Sequence, residues 1–146
     1  MRELTDFDEM YQELIIDHYK NPRNKSKLSK FTDEVKSHNP FCGDEIELQL
    51  DIKNNVIEGI SVSGRGCAIS QSSGSLLGET IIGKTVIEAR KDNESMRSLL
   101  KDENLNDEEL DSLSDSSAIE GVKKFPVRIK CALLSWSALT DILSKY

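Results

Sequence analysis

Hydrophobic and polar residues alternate strictly over residues 45–52, Glu-Ile-Glu-Leu-Gln-Leu-Asp-Ile, so that Ile46, Leu48, Leu50 and Ile52 share one face. That period of two predicts a half-buried strand. Asn54-Asn55 is a turn signal, and Val56, Ile57, Ile60 and Val62 then predict a second strand, antiparallel to the first in a hairpin. Elsewhere the period is helical. Phe7, Met10, Tyr11, Leu14, Ile15 and His18 recur at helical spacing after a cap at Thr5 or Asp6. Asn21-Pro22-Arg23-Asn24 ends that helix, because proline disfavours helix at the residue before it. Residues 68–82 predict a second helix, weakened by Gly74 and Gly78, with Gly83 just past its end. Thr85 with Glu88 is a capping box opening a helix over 86–100. Pro126 suits the first position of a last helix carrying Cys131, Ala132, Leu133, Leu134, Trp136, Leu139, Ile142 and Leu143.

Two stretches break the pattern. Lys25 to Lys30 is a basic, polar loop. Residues 102–117 are rich in Asp, Glu, Asn and Ser, and read as an acidic insertion or mobile loop that buries little apolar surface, with a short helix at 107–113. The order of elements is helix, hairpin with a further strand, then several helices. It predicts an α+β fold in which a small antiparallel sheet of about three strands packs against helices. Residues 1–146 are expected to form a single domain.

Charge narrows the function. The net charge of −7 opposes general nucleic-acid binding, whose affinity comes from cations neutralising phosphates. No apolar run approaches the ~20 residues that span a bilayer. The opening residues are acidic and amphipathic with no signal-peptide hydrophobic region, so a cytoplasmic location is expected. In that compartment three cysteines, an odd number, argue against a disulfide framework. A chain of 146 residues can bury a core without a metal, so a metal site here would serve chemistry as well as stability.

The cysteines stand beside turn and cap residues. In Cys42-Gly43-Asp44 the glycine permits a tight turn on which a thiolate and a carboxylate can converge. Cys67 follows Gly64-Arg65-Gly66 at the end of the second strand, and hairpin geometry brings it towards residue 42. Cys131 is placed at the start of the last helix, where partly positive amides favour a thiolate. Three thiolates and a carboxylate make a four-coordinate set suited to zinc, at the edge between sheet and helices. The plainer reading, small apolar core residues, competes for each cysteine. His18 and Trp136 read as core. His38, close to Cys42, is a weaker ligand candidate. Arg128 and Lys130 are either a solvated pair or cations offsetting the roughly −2 charge of the zinc–thiolate set, or contacting a partner.

Four blocks, D-H-Y-K-N-P-R-N at 17–24, H-N-P-F-C-G-D at 38–44, G-R-G-C-A-I-S-Q-S at 64–72 and F-P-V-R-I-K-C-A-L-L at 125–134, resemble the IscU/NifU-N superfamily in identity and order. Two departures from the IscU pattern resemble its SufU branch: Lys130 replaces the histidine that IscU scaffolds carry before the last cysteine, and the acidic segment is extra. The resemblance implies one zinc ion on Cys42, Asp44, Cys67 and Cys131. It implies a zinc-dependent sulfurtransferase whose Cys42 accepts persulfide sulfur from a SufS-type, pyridoxal-phosphate-dependent cysteine desulfurase and relays it to a downstream iron–sulfur scaffold. The pyridoxal phosphate belongs to the partner. Two other readings stay open: a scaffold on which iron or a [2Fe–2S] cluster is assembled by the same residues, and a structural zinc-binding interaction domain.

Overall fold

The computed structural model describes residues 6–40 and 43–146, with side chains described from residue 12 onward. The alternating segment forms β2 (Asp44–Lys53), and the run after the asparagines forms β3 (Val56–Arg65). Asn54 and Asn55 both take positive φ, 52° and 61°, as the two-residue turn of a right-twisted hairpin requires. The remaining strand is β1 (Asp33–Asn39), and the sheet is antiparallel in the order β1-β2-β3. Hydrophobic alternation could not locate β1, because its inward positions are Asp33, Val35, Ser37 and Asn39.

Leu48 pairs with Val35 on one side and Val62 on the other, so apolar residues of adjacent strands meet on one face. That face packs against α2 (Ala68–Ile81) and α5 (Pro126–Leu143). Gly74, which weakens α2 as a helix, explains itself in the packing: a Cβ there would stand 2.8 Å from Val62 Cγ1. Trp136 of α5 is fully buried, and its Nε1 donates to Ser73 Oγ at 3.0 Å. A further helix, α3 (Val86–Leu100), has the predicted Thr85–Glu88 capping box. No helix among the described residues is long and apolar enough to cross a membrane.

The first helix, α1 (Asp6–Lys20), is joined to this frame by the D-H-Y-K-N-P-R-N block. Arg23 pairs with Asp17 at 2.6 Å. Its backbone N–H donates to Ser75 Oγ at 2.9 Å, and that hydroxyl lies 2.7 Å from His18 Nδ1. Asn24 accepts the Val62 N–H through its backbone carbonyl. His18 is thus a buried, hydrogen-bonded core histidine, as its place on the apolar face suggests.

The acidic segment departs from the mobile-loop expectation. The helix at 107–113 forms as α4 (Asp107–Leu113), capped reciprocally by Asn106 and Glu109, and a 3-10 helix follows over Ser114–Lys124. Leu113 is fully buried, with Ala118, Ile119 and Val122 behind it. Few apolar residues suffice because the polar ones are also used. Thr80 Oγ1 donates to the Leu113 carbonyl, and Lys84 Nζ reaches both buried Asp92, at 2.6 Å, and the Ser112 carbonyl, at 2.7 Å.

Two outcomes are expected. Leu113→Ala lowers unfolding free energy by about 2–4 kcal/mol, measured by urea titration, whereas a loop residue would cost almost nothing. Burial, with the charge of Arg23, holds His18 below its ordinary value of 6.5, against the opposing pull of Asp17, Glu79 and Asp115. The unfolded chain therefore takes up a proton before the folded chain does, and stability falls as pH drops below 6.5. In His18→Gln the urea midpoint should decline less between neutral and mildly acidic pH than it does in the unsubstituted protein.

Candidate metal centre

The hairpin register sets the site. Glu45 pairs with Arg65, so Asp44, at the start of β2, lies beside Gly66 and Cys67, just past the end of β3. Cys67 is the N-cap residue of α2. Its backbone N–H donates to Asp44 Oδ1 at 2.7 Å, and its Sγ lies 3.4 Å from Asp44 Oδ2. Asn39 faces Asp44 across the β1–β2 ladder, and its carbonyl accepts the Gly43 N–H at 2.9 Å. Cys131 of α5, 2% exposed, completes the group. Ligand atoms of Asp44, Cys67 and Cys131 all lie within 4.8 Å of one another. Cys42, two residues before Asp44, lies outside the described residues.

Gly66 makes this approach feasible. Its φ of 143° is one that side-chain-bearing residues rarely adopt, and a Cβ there would stand 2.1 Å from Asp44 Oδ1. The carboxylate occupies the space a side chain would fill.

The donor set fits zinc. Bonds of about 2.3 Å to sulfur and about 2.0 Å to oxygen, at tetrahedral angles, separate a sulfur and an oxygen ligand by roughly 3.5 Å. The 3.4 Å between Cys67 Sγ and Asp44 Oδ2 matches. Asp44 has no solvent exposure, and a buried carboxylate is stable only when paired, hydrogen-bonded or bound to metal.

A cation lies against the thiols. Arg128 is in the first turn of α5, one turn before Cys131. A hydrogen bond with Cys131, then attraction to Cys67 and Cys131, raises the guanidinium above its ordinary value. Lys130 is exposed. The expected location of Cys131 needs correction: it is the sixth residue of α5, beyond the first turn whose amides carry the helix dipole. Arg128 supplies the positive charge that the helix terminus was expected to give. His38 is exposed on β1 and outside the cluster. Two residues escaped the sequence reading, Gly66 as the seat of Asp44 and Asn39, whose Nδ2 is 3.9 Å from Cys131 Sγ. Both stand inside or beside blocks that carry a cysteine, the one signal that could have drawn attention to them.

Gly66→Ala should destabilise the protein by about 2–3 kcal/mol, because neither the backbone strain nor the collision with Asp44 relaxes cheaply. In protein loaded with added zinc, it should also speed loss of the metal to a chelator if Asp44 is one of its ligands, because the carboxylate is pushed from its seat.

The chain is similar to known proteins along nearly all of its length. The family model of the NifU-like N-terminal domain matches residues 10–132. The zinc-dependent sulfurtransferase SufU of Bacillus subtilis is 39% identical over 141 residues, which cover 97% of this chain and 94% of that protein. The iron–sulfur cluster assembly scaffold protein IscU of Thermotoga maritima is 34% identical over 95% of this chain and 96% of its own. Among solved structures, a Fervidobacterium islandicum protein described as an iron–sulfur cluster assembly scaffold for the SUF system superposes with a TM-score of 0.84 and 30% identity. That match covers 92% of this chain and 97% of the other. With the family model spanning most of the sequence, and relatives above 30% identity along nearly all of it, the chain belongs to the NifU-like N-terminal domain family, which includes SufU and IscU proteins.

Proposed function

We propose that this protein is a zinc-dependent sulfurtransferase of iron–sulfur cluster assembly, holding one zinc ion through Cys42, Asp44, Cys67 and Cys131. In this reading it accepts persulfide sulfur from a SufS-type, pyridoxal-phosphate-dependent cysteine desulfurase and passes it to a downstream scaffold. The supporting observation is the Asp44–Cys67–Cys131 group, its Asp44–Cys67 spacing suited to tetrahedral zinc, in a chain 39% identical to a zinc-dependent sulfurtransferase.

Zinc, when bound, keeps cysteine sulfurs deprotonated near neutral pH. The chain's residues then divide the work. Asp44, Cys67 and Cys131 are fixed by β2, α2 and α5. Gly43, whose φ is 68°, lies between β1 and β2, next in sequence to the proposed acceptor Cys42. The Cys42 thiolate attacks the outer sulfur of the partner's cysteine persulfide. The partner's S–S bond breaks as a new one forms on Cys42, and the partner's cysteine leaves as a thiolate. The exchange involves no net oxidation. A downstream thiol, or an added reductant, takes the sulfur in turn. Arg128 offers positive charge to the incoming persulfide anion.

A second reading, a [2Fe–2S] scaffold, is favoured by the likeness to IscU, and the same donors can ligate iron. One set of measurements separates the readings: metal content after purification without added metal, desulfurase turnover with excess reductant, and mass spectrometry of the chain. About one zinc per chain is expected. Cys42→Ser should cut stimulation of the desulfurase about a hundredfold or more while the complex still forms, because serine is a far weaker nucleophile near neutral pH. Stimulation that survives Cys42→Ser, with the sulfur adduct on Cys131, would move the acceptor role there. A stable visible chromophore formed anaerobically from iron and sulfide, without stimulation, would favour the scaffold. Bound zinc with neither effect would leave a structural zinc domain.

A further inference from the structure

The three described members of the cluster are not held alike. Cys67 Sγ is half-buried and faces a carboxylate oxygen at 3.4 Å, a neighbour that withdraws no electron density from a sulfur anion. Cys131 Sγ is deeply buried and faces an N–H donor, the Asn39 carboxamide, whose Nδ2 stands at 3.9 Å, the outer edge of N–H···S contact; the Arg128 charge acts on both sulfurs and does not tell them apart. Asn39 is itself only 7% exposed. As the last residue of β1 it holds both sides of the site: its backbone carbonyl takes the Gly43 N–H, anchoring the turn that leads into Asp44, while its side chain reaches across to α5.

Hydrogen bonds to a metal-bound or anionic sulfur draw charge from it and lower its nucleophilicity, and groups in this outer position tune a metal site nearly as strongly as the ligands do. We propose that Asn39 is a positioning residue that holds Cys131 as the retained, non-transferring sulfur of the centre. This inference rests on the sulfur-transfer reading and adds to it a reason why Cys131, although a thiol in the same cluster, does not compete for incoming sulfur. The amide N–H is what matters, since the backbone carbonyl at residue 39 remains whatever side chain is present.

The test is the alkylation rate of each cysteine, read by peptide mass spectrometry after dilute iodoacetamide, on full-length zinc-loaded protein, in which the metal keeps the sulfurs deprotonated. Asn39→Asp keeps the size and carbonyl oxygen of asparagine and removes the N–H donor, and the neutral Asn39→Ala controls for the negative charge that aspartate adds. Cys131 should be the slowest cysteine in the unsubstituted protein. In Asn39→Asp it should react about three- to tenfold faster, the worth of one hydrogen bond, with Cys42 and Cys67 changed less than about twofold. Asn39→Ala should give the same ordering. If all three cysteines accelerate together, Asn39 is merely structural and the proposal fails. It fails also if Cys131 responds to alanine but not to aspartate, which would reveal access rather than hydrogen bonding, or if neither variant changes its rate. Failure of the sulfur-transfer reading shows separately, as absence of a persulfide adduct on unsubstituted protein incubated with the desulfurase and cysteine.

Discussion

The contact between the Asp44 carboxylate and the Cys67 backbone N–H is the constraint from which the site follows. A carboxylate without solvent must be given partners by the fold, and each partner fixes an element. The Cys67 amide places the N-cap of α2 at the end of the β2–β3 hairpin. The absence of a side chain at Gly66 brings that backbone close enough to donate. Cys131 then requires α5 to lie across the same end of the sheet. Moving any one of these elements by the width of a methyl group would break a contact around a buried carboxylate.

The helix that presents Cys67 is built for such rigidity in an unusual way. Buried positions of α2 include Ser70, Ser72, Ser73 and Ser75 as well as leucines. Their hydroxyls reach the Cys67 carbonyl, the Ile15 carbonyl, the Ala132 carbonyl and His18 Nδ1 respectively. Ser70 closes on the N-cap of α2 itself, Ser72 and Ser75 cross to α1, and Ser73 crosses to α5, so α2 is pinned by directed contacts and not only by shape. Small serines and Gly74 also let the helix lie close on the sheet. The composition that weakens the sequence signal for a helix is what the packing of that helix demands.

Legibility followed the source of each element's stability. Where burial of alternating or helically spaced apolar residues decides the structure, as in β2, β3, α3 and α5, the sequence pattern is sufficient, and the Thr85–Glu88 cap can be read directly. Where polar side chains supply the contacts, the pattern is silent or misleading. The strand β1 has only Val35 as an apolar inward residue, and the acidic segment around α4 is held by Leu113 together with capping and the bonds of Lys84 to Ser112 and buried Asp92. At the site, Asp44, Cys67 and Cys131 could be nominated from residue type and from the turns beside them. Asn39 and Gly66 could not, because their parts depend on a strand register and on a missing Cβ, and neither leaves a chemical signature in the chain.

The position of Arg128 has a consequence for which molecules the sulfurs meet. Its guanidinium is exposed to solvent and attracted to both Cys67 and Cys131, so a positive charge stands beside these sulfurs. A persulfide anion gains from that charge as it approaches. A neutral oxidant such as hydrogen peroxide gains nothing, and finds Cys131 under protein. An acidic protein whose net charge repels anions in general has, beside these sulfurs, a local positive charge that sorts reagents by charge before any bond is made.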